Sequence, residues 1–215
     1  MFKIRYFIYD LFKEKIKNLD LESFDREWYE IYGTFEIRIN NQLKGFVADY
    51  SKEVFATKIE KEKFDSIWLM SDVLTFWIDI FLQIAINLRY GNEYVAFRDI
   101  ENINWLEFVK KNEDIYISEI EGERFPKNFQ ESIVLKKVYI DNIYIDNKGK
   151  MNESFFKNEK VNYKEFIKEI EYKSKQFIEE IKLINPVLLN NTQMKKIILK
   201  YQELKNYIEN DKLLE

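Results

Sequence analysis

Cysteine and histidine are both absent from the 215-residue chain. Without cysteine there is no disulfide, no thiolate nucleophile and no Cys-ligated zinc or iron–sulfur cluster. Without histidine there is no Ser-His-Asp triad, no imidazole base and no His-ligated metal. Glycine is scarce: Gly33, Gly45, Gly91, Gly122 and Gly149 are the only 5, and they stand apart from one another. Phosphate-cradling loops need clustered glycines for close backbone approach, so neither a P-loop nor a dinucleotide fingerprint is present. A basic excess is missing too. The 34 basic residues face 38 acidic ones, for a formal charge of −4, which leaves no overall positive field for nucleic acid. The opening residues Met1 to Phe7 lack the basic region, apolar core and small-residue cleavage site of a secretory signal. The chain therefore reads as cytoplasmic, in keeping with its lack of cysteine.

What the chain has is bulk. It carries 18 Phe, 14 Tyr and 4 Trp against 2 Pro. A content of 46% hydrophobic and 33% charged residues is globular rather than disordered. The length suits one α+β domain, 1–215, with a substantial core.

Patterning along the chain supplies the elements. Residues 2–9 fit both strand alternation and a helical stripe, and their aromatic and β-branched content favours a strand. A short helix through Leu19 is expected after it. Phe35, Ile37 and Ile39 alternate with polar residues, Asn40-Asn41 suits a tight turn, and Leu43 to Ala48 returns, which predicts a hairpin. The most hydrophobic stretch, 64–89, has Thr75, Asp79, Gln83 and Asn87 spaced four apart, one narrow polar stripe on a helix. Asp72 and Asp79 inside it favour a core helix over a membrane span. Strands follow at Tyr94–Arg98, Asn104–Val109 and Asp114–Glu121, the last two joined as a hairpin. Ser132–Val138, Tyr139–Asp146 and Lys150–Phe156 read as further extended segments around an Asp146–Gly149 turn. Asn162 with Glu165 resembles a capping box opening a helix that Pro186 closes, and a last helix covers Thr192 to Ile208. The expected fold is α+β: a mainly antiparallel sheet packed against the central hydrophobic helix, with two C-terminal helices alongside.

Few residues offer chemistry. Glu171-Tyr172-Lys173 and Glu203-Leu204-Lys205 have the spacing of a nuclease Glu-x-Lys, but both fall on amphipathic helices where Glu and Lys face solvent. Asp79, mid-way along the central helix, must be paired, hydrogen-bonded or protonated. Bonding to Tyr, Lys or Arg is the structural reading, and a pocket acid the catalytic one. No cofactor and no metal is implied. Charge is unevenly spread. From Arg98 to Arg124 eight acids oppose four bases, while Lys150 to Glu215 holds thirteen bases and eleven acids. A locally acidic strand region can steer a basic partner. The candidate contact residues are Asp99, Glu101, Glu113, Asp114, Glu119, Glu121 and Glu123, with Trp105 or Tyr116 as aromatic anchors.

The order of these features carries a resemblance. Trp28-Tyr29, the strand Gly33-Thr34-Phe35-Glu36-Ile37-Arg38-Ile39-Asn40, the helix Thr75-Phe76-Trp77-Ile78-Asp79-Ile80-Phe81-Leu82 and the helix start Val161-Asn162-Tyr163-Lys164-Glu165-Phe166 follow one another. Over residues 2–185 this layout resembles small immunity-type proteins of bacterial polymorphic toxin and contact-dependent inhibition systems. The resemblance implies a non-enzymatic α+β protein that binds one cognate toxin domain and blocks it, while the charge balance and the acids in the hydrophobic stretch argue against nucleic acid and membrane as partners. The competing readings are a structural or phage-type assembly protein and a carboxylate-based enzyme centred on Asp79.

Overall fold

The computed structural model describes residues 1–46, 72–98, 104–121, 133–136 and 156–210. In chain order the elements are β1 (Phe2–Ile8), α1 (Asp10–Ile16), α2 (Leu21–Glu27), β2 (Tyr32–Ile39), β3 (Gln42–Phe46), β4 (Asp72–Val73) and α3 (Leu74–Arg89). They continue with β5 (Tyr94–Arg98), β6 (Asn104–Lys111), β7 (Asp114–Glu121), β8 (Ile133–Val134), β9 (Glu159–Asn162), α4 (Tyr163–Ile184), a 3-10 helix (Pro186–Asn190) and α5 (Thr192–Asn210). The fold is α+β with two sheets. One has the order β1-β2-β3 with β4 joined to β2, and the other has the order β8-β5-β6-β7-β9. The stretches 64–71 and 139–155, including the Asp146–Gly149 turn, lie outside the described residues.

Local chemistry sets the element ends. Asn40 and Asn112 turn the two hairpins with φ of 53° and 56°, a left-handed conformation that Asn tolerates better than most residues. Gly91 takes φ of 87° where α3 stops, the usual place for glycine past a helix C-terminus. The Asn162 side chain accepts the Glu165 amide at 3.2 Å and caps α4. Asp20 does the same for α2, accepting from the Ser23 amide at 2.7 Å. Among the described residues no helix is long and apolar enough to cross a membrane.

The chain divides into two compact units, each assembled from three separated segments. The first unit comprises Met1–Lys3, Arg38–Leu43 and Ile84–Lys168. On one face of the β5–β6–β7 sheet Phe97 stacks on Phe108 at 6.3 Å and Phe108 meets Phe166 of α4 at 5.7 Å, while Tyr94, Ala96, Trp105, Ile120 and Val134 form a buried cluster on the other. Phe166 also meets Phe2 at 4.7 Å. The β2–β3 turn is tied to β9 in this unit. Asn40 and Gln42 each donate an amide hydrogen bond to the Glu159 carboxylate, at 2.7 and 3.0 Å.

The second unit comprises Ile4–Ile37, Lys44–Gln83 and Glu169–Glu215. Here Phe35 of β2 stacks on Trp77 of α3 at 4.8 Å with rings nearly parallel. Phe12 of α1 sits edge-on to Trp28 and Tyr32, and Tyr6 of β1 edge-on to Phe177 of α4. Edge-to-face and offset ring pairs of this kind add about 0.5–1.5 kcal/mol each beyond area burial. Glu36 is buried and bonded to Arg5 at 3.3 Å. Glu169, also buried, accepts the Ile4 amide of β1 at 2.9 Å.

Candidate functional site

The acidic segment is centred on the β6–β7 hairpin. The two strands pair over their full length, from Asn104 opposite Glu121 to Lys111 opposite Asp114. The tip is fixed from outside the hairpin as well. The Glu113 carbonyl accepts the Tyr163 amide at 2.8 Å and the Asn162 side-chain amide at 3.4 Å. The start of α4 therefore clamps the turn. Lys110 lies over the Tyr163 ring at 3.9 Å and Lys111 over Tyr116 at 5.2 Å.

Each predicted contact residue has a definite place. Glu113 is exposed at the tip. Asp114 pairs with Lys160 of β9 at 2.9 Å. The Asp114 carboxylate raises the Lys160 pKa, first by its hydrogen bond and then by its charge. Tyr116 is half-buried beneath Lys111. Glu121 closes β7, with its side chain outside the described residues, as are Asp99, Glu101 and Glu123.

Two of the predicted contacts are corrected. Trp105 is only 1% exposed and packs with Tyr94, Ala96, Ile120 and Val134. It is a core ring and not a surface anchor. Glu119 is 3% exposed, because alternation along β7 puts it on the same face as the buried Ile115 and Ile117. Both faces of this sheet are covered at these positions, so a count of acids along the strand overstated the acidic surface. At the tip itself Glu113 and Asp114 sit among Lys111 and Lys160.

Asp79 occupies a second polar cluster, in the second unit. The Lys200 ammonium of α5 donates to both Asp79 carboxylate oxygens at 2.8 Å and to the Gln83 side-chain oxygen Oε1 at 3.3 Å. The Thr75 hydroxyl donates to the Glu30 carboxylate and accepts from the Ile31 amide. The polar stripe of α3 thus faces a matching stripe on α5, where Gln193, Lys196 and Lys200 recur at helical spacing. Asp79 has the lysine partner that the structural reading required. Glu30 and its α5 partners were not legible in the sequence, although Gln193, Lys196 and Lys200 stand three and four apart, a helical spacing like that of Thr75, Asp79 and Gln83. The Glu-x-Lys pairs lie on α4 and α5, with Glu171 accepting the Tyr201 hydroxyl at 3.2 Å.

Burial raises the Glu30 pKa above the ordinary glutamate range, with a smaller upward push from Asp79. The Thr75 bond and the Lys196 charge oppose this rise in part. The folded chain therefore holds the Glu30 proton more tightly than the unfolded one. Stability from this group is full below the unfolded pKa and is lost as pH rises through the folded value. Glu30→Gln keeps an acceptor for Thr75 and removes the charge. Urea melts from pH 4 to 8 should then lose that decline, with the variant gaining on the parent as pH rises. A parallel pair of curves would refute the assignment.

In comparisons with known proteins, the chain matches no family model, no curated protein and no solved structure.

Proposed function

We propose that the chain is a non-enzymatic binding module of the immunity type, which captures a basic toxin domain on its 98–124 segment and blocks it by occlusion. The observation behind this reading is the construction of the β6–β7 tip. A locally acidic stretch is built on a fully paired hairpin, clamped by α4, with Glu113 presented to solvent. Rigid elements lose little conformational freedom on binding, which favours them as recognition platforms. The like-signed surplus of the segment would speed encounter with a basic surface. Glu113, Asp114 and Tyr116 form the described part of the surface, and Asp99, Glu101, Glu121 and Glu123 complete the acidic set in sequence. The order of elements that resembles immunity-type proteins supports a toxin as partner, acting in the cytoplasm. Asp79 supports the non-enzymatic reading, since Lys200 engages both of its oxygens.

Affinity capture of a co-expressed toxin domain, with growth of the co-expressing cells followed, tests this directly. Co-purification and restored growth are expected, and neither would occur if the reading is wrong. Within a captured complex, Glu113→Lys with Asp114→Lys should weaken association by about tenfold at low salt. The salt dependence should flatten as well. Unchanged affinity and salt slope in a binding titration would place the interface elsewhere.

A further inference from the structure

The segment Asn185–Asn210 lies within the second unit and is tied to the α1–α2 region of that unit through two asparagines that each do two jobs. Asn185 is buried, and its amide donates to the Ile16 and Leu19 carbonyls at 2.8 Å, closing the C-terminal end of α1. Its side-chain oxygen Oδ1 accepts the Val187 amide at 3.1 Å and opens the 3-10 helix. Asn191 repeats the device. Its amide donates to Asp25 at 2.7 Å and to the Tyr29 carbonyl at 3.4 Å. Its oxygen accepts the Gln193 and Met194 amides at 2.8 and 3.2 Å, capping α5.

Each side chain therefore satisfies the first turn of a C-terminal helix and, with its other end, a distant loop. A capping oxygen fixes the rotamer that aims the amide at its docking partner, and the docking bond fixes the rotamer that caps. Beyond the caps, Lys200 bonds Asp79 and Gln83 of α3, and Tyr201 bonds Glu171 of α4. Leu188, Met194, Ile197 and Leu204 are fully buried along the same segment.

We infer that Asn185–Asn210 is a strap that folds and docks as a single event, able to detach as a unit while the rest of the chain stays folded. Detachment would leave the Glu30 and Asp79 carboxylates facing water without the α5 lysines.

Native-state amide exchange on the full chain, read residue by residue by NMR, tests the strap. Asn191→Asp keeps a capping oxygen, since Asp and Asn cap equally well. It removes the donor to Asp25 and Tyr29 and sets two carboxylates against each other. If α5 were held only by its own cap and its apolar face, this variant would change little beyond Gln193–Lys195. For a strap, protection at Tyr201 and Leu204, two or more turns away, falls by about tenfold, the loss expected for one charged hydrogen bond. The Asp25→Asn, Asn191→Asp double variant restores a donor–acceptor pair with the roles exchanged, and protection recovers. A loss confined to the first turn overturns the inference, as does a loss that the double variant leaves unrepaired. An equal loss at Ile117 of β7 would show global rather than segmental opening, and also overturns it.

Discussion

Gly33→Ala is expected to destabilise the protein by about 3 kcal/mol or more, the upper range for forcing atoms into a filled site. Gly33 lies in β2, where it pairs with Asp72 of β4. A methyl group there would overlap the Phe7 carbonyl oxygen and lie 2.7 Å from Leu74 Cδ1. The leucine end could rotate away, but the carbonyl belongs to the backbone of β1, which is hydrogen-bonded in the same sheet. Relief therefore requires the strand itself to shift. For a chain of this size the loss corresponds to a thermal midpoint lower by about 6–12 °C. A scan showing an unchanged midpoint would mean that β1 can yield at Phe7 without cost.

The second large effect is expected at Phe166. This ring is fully buried and meets Phe2 and Phe108 at 4.7 and 5.7 Å. Phe166→Ala removes one ring and leaves a cavity lined by two others, at a cost of about 3–5 kcal/mol. Phe166→Leu fills most of that space and should cost clearly less. Chemical denaturation of the three proteins would rank them parent, leucine, alanine. If the two variants prove equal, the site collapses freely and the ring is not a keystone of the first unit.

The sequence showed the short-range chemistry more clearly than the long-range pairing. Asn40 turns the predicted hairpin, Asn162 caps the predicted helix and Asp79 found a lysine, because each outcome follows from side chains a few residues apart or from the cost of a partly buried charge. The identity of that lysine was not legible, since Lys200 is 121 residues away. Strand β9 was missed because Glu159-Lys160-Val161-Asn162 has one apolar residue and takes its place through pairing with β7. Trp105 and Glu119 were misplaced for a related reason. Period-two alternation separates the two faces of a strand but does not say that one of them is wet, and β6 and β7 bury residues on both. The acidic count of the 98–124 segment stands, while its distribution between surface and interior came from the fold.

The bond from Ile4 to Glu169 has a consequence for solubility. Among the described residues strand β1 ends its sheet, in the order β1-β2-β3. A free amide on such a strand is a template on which another chain can add a strand, the first step of edge-to-edge aggregation. The Glu169 carboxylate occupies the Ile4 amide at 2.9 Å and is itself only 6% exposed. Its buried position places a charge where an incoming backbone would have to displace it from the Ile4 amide. A residue of helix α4 thus guards the Ile4 position of an aromatic-rich sheet, in a chain with few prolines to break unwanted strand pairing.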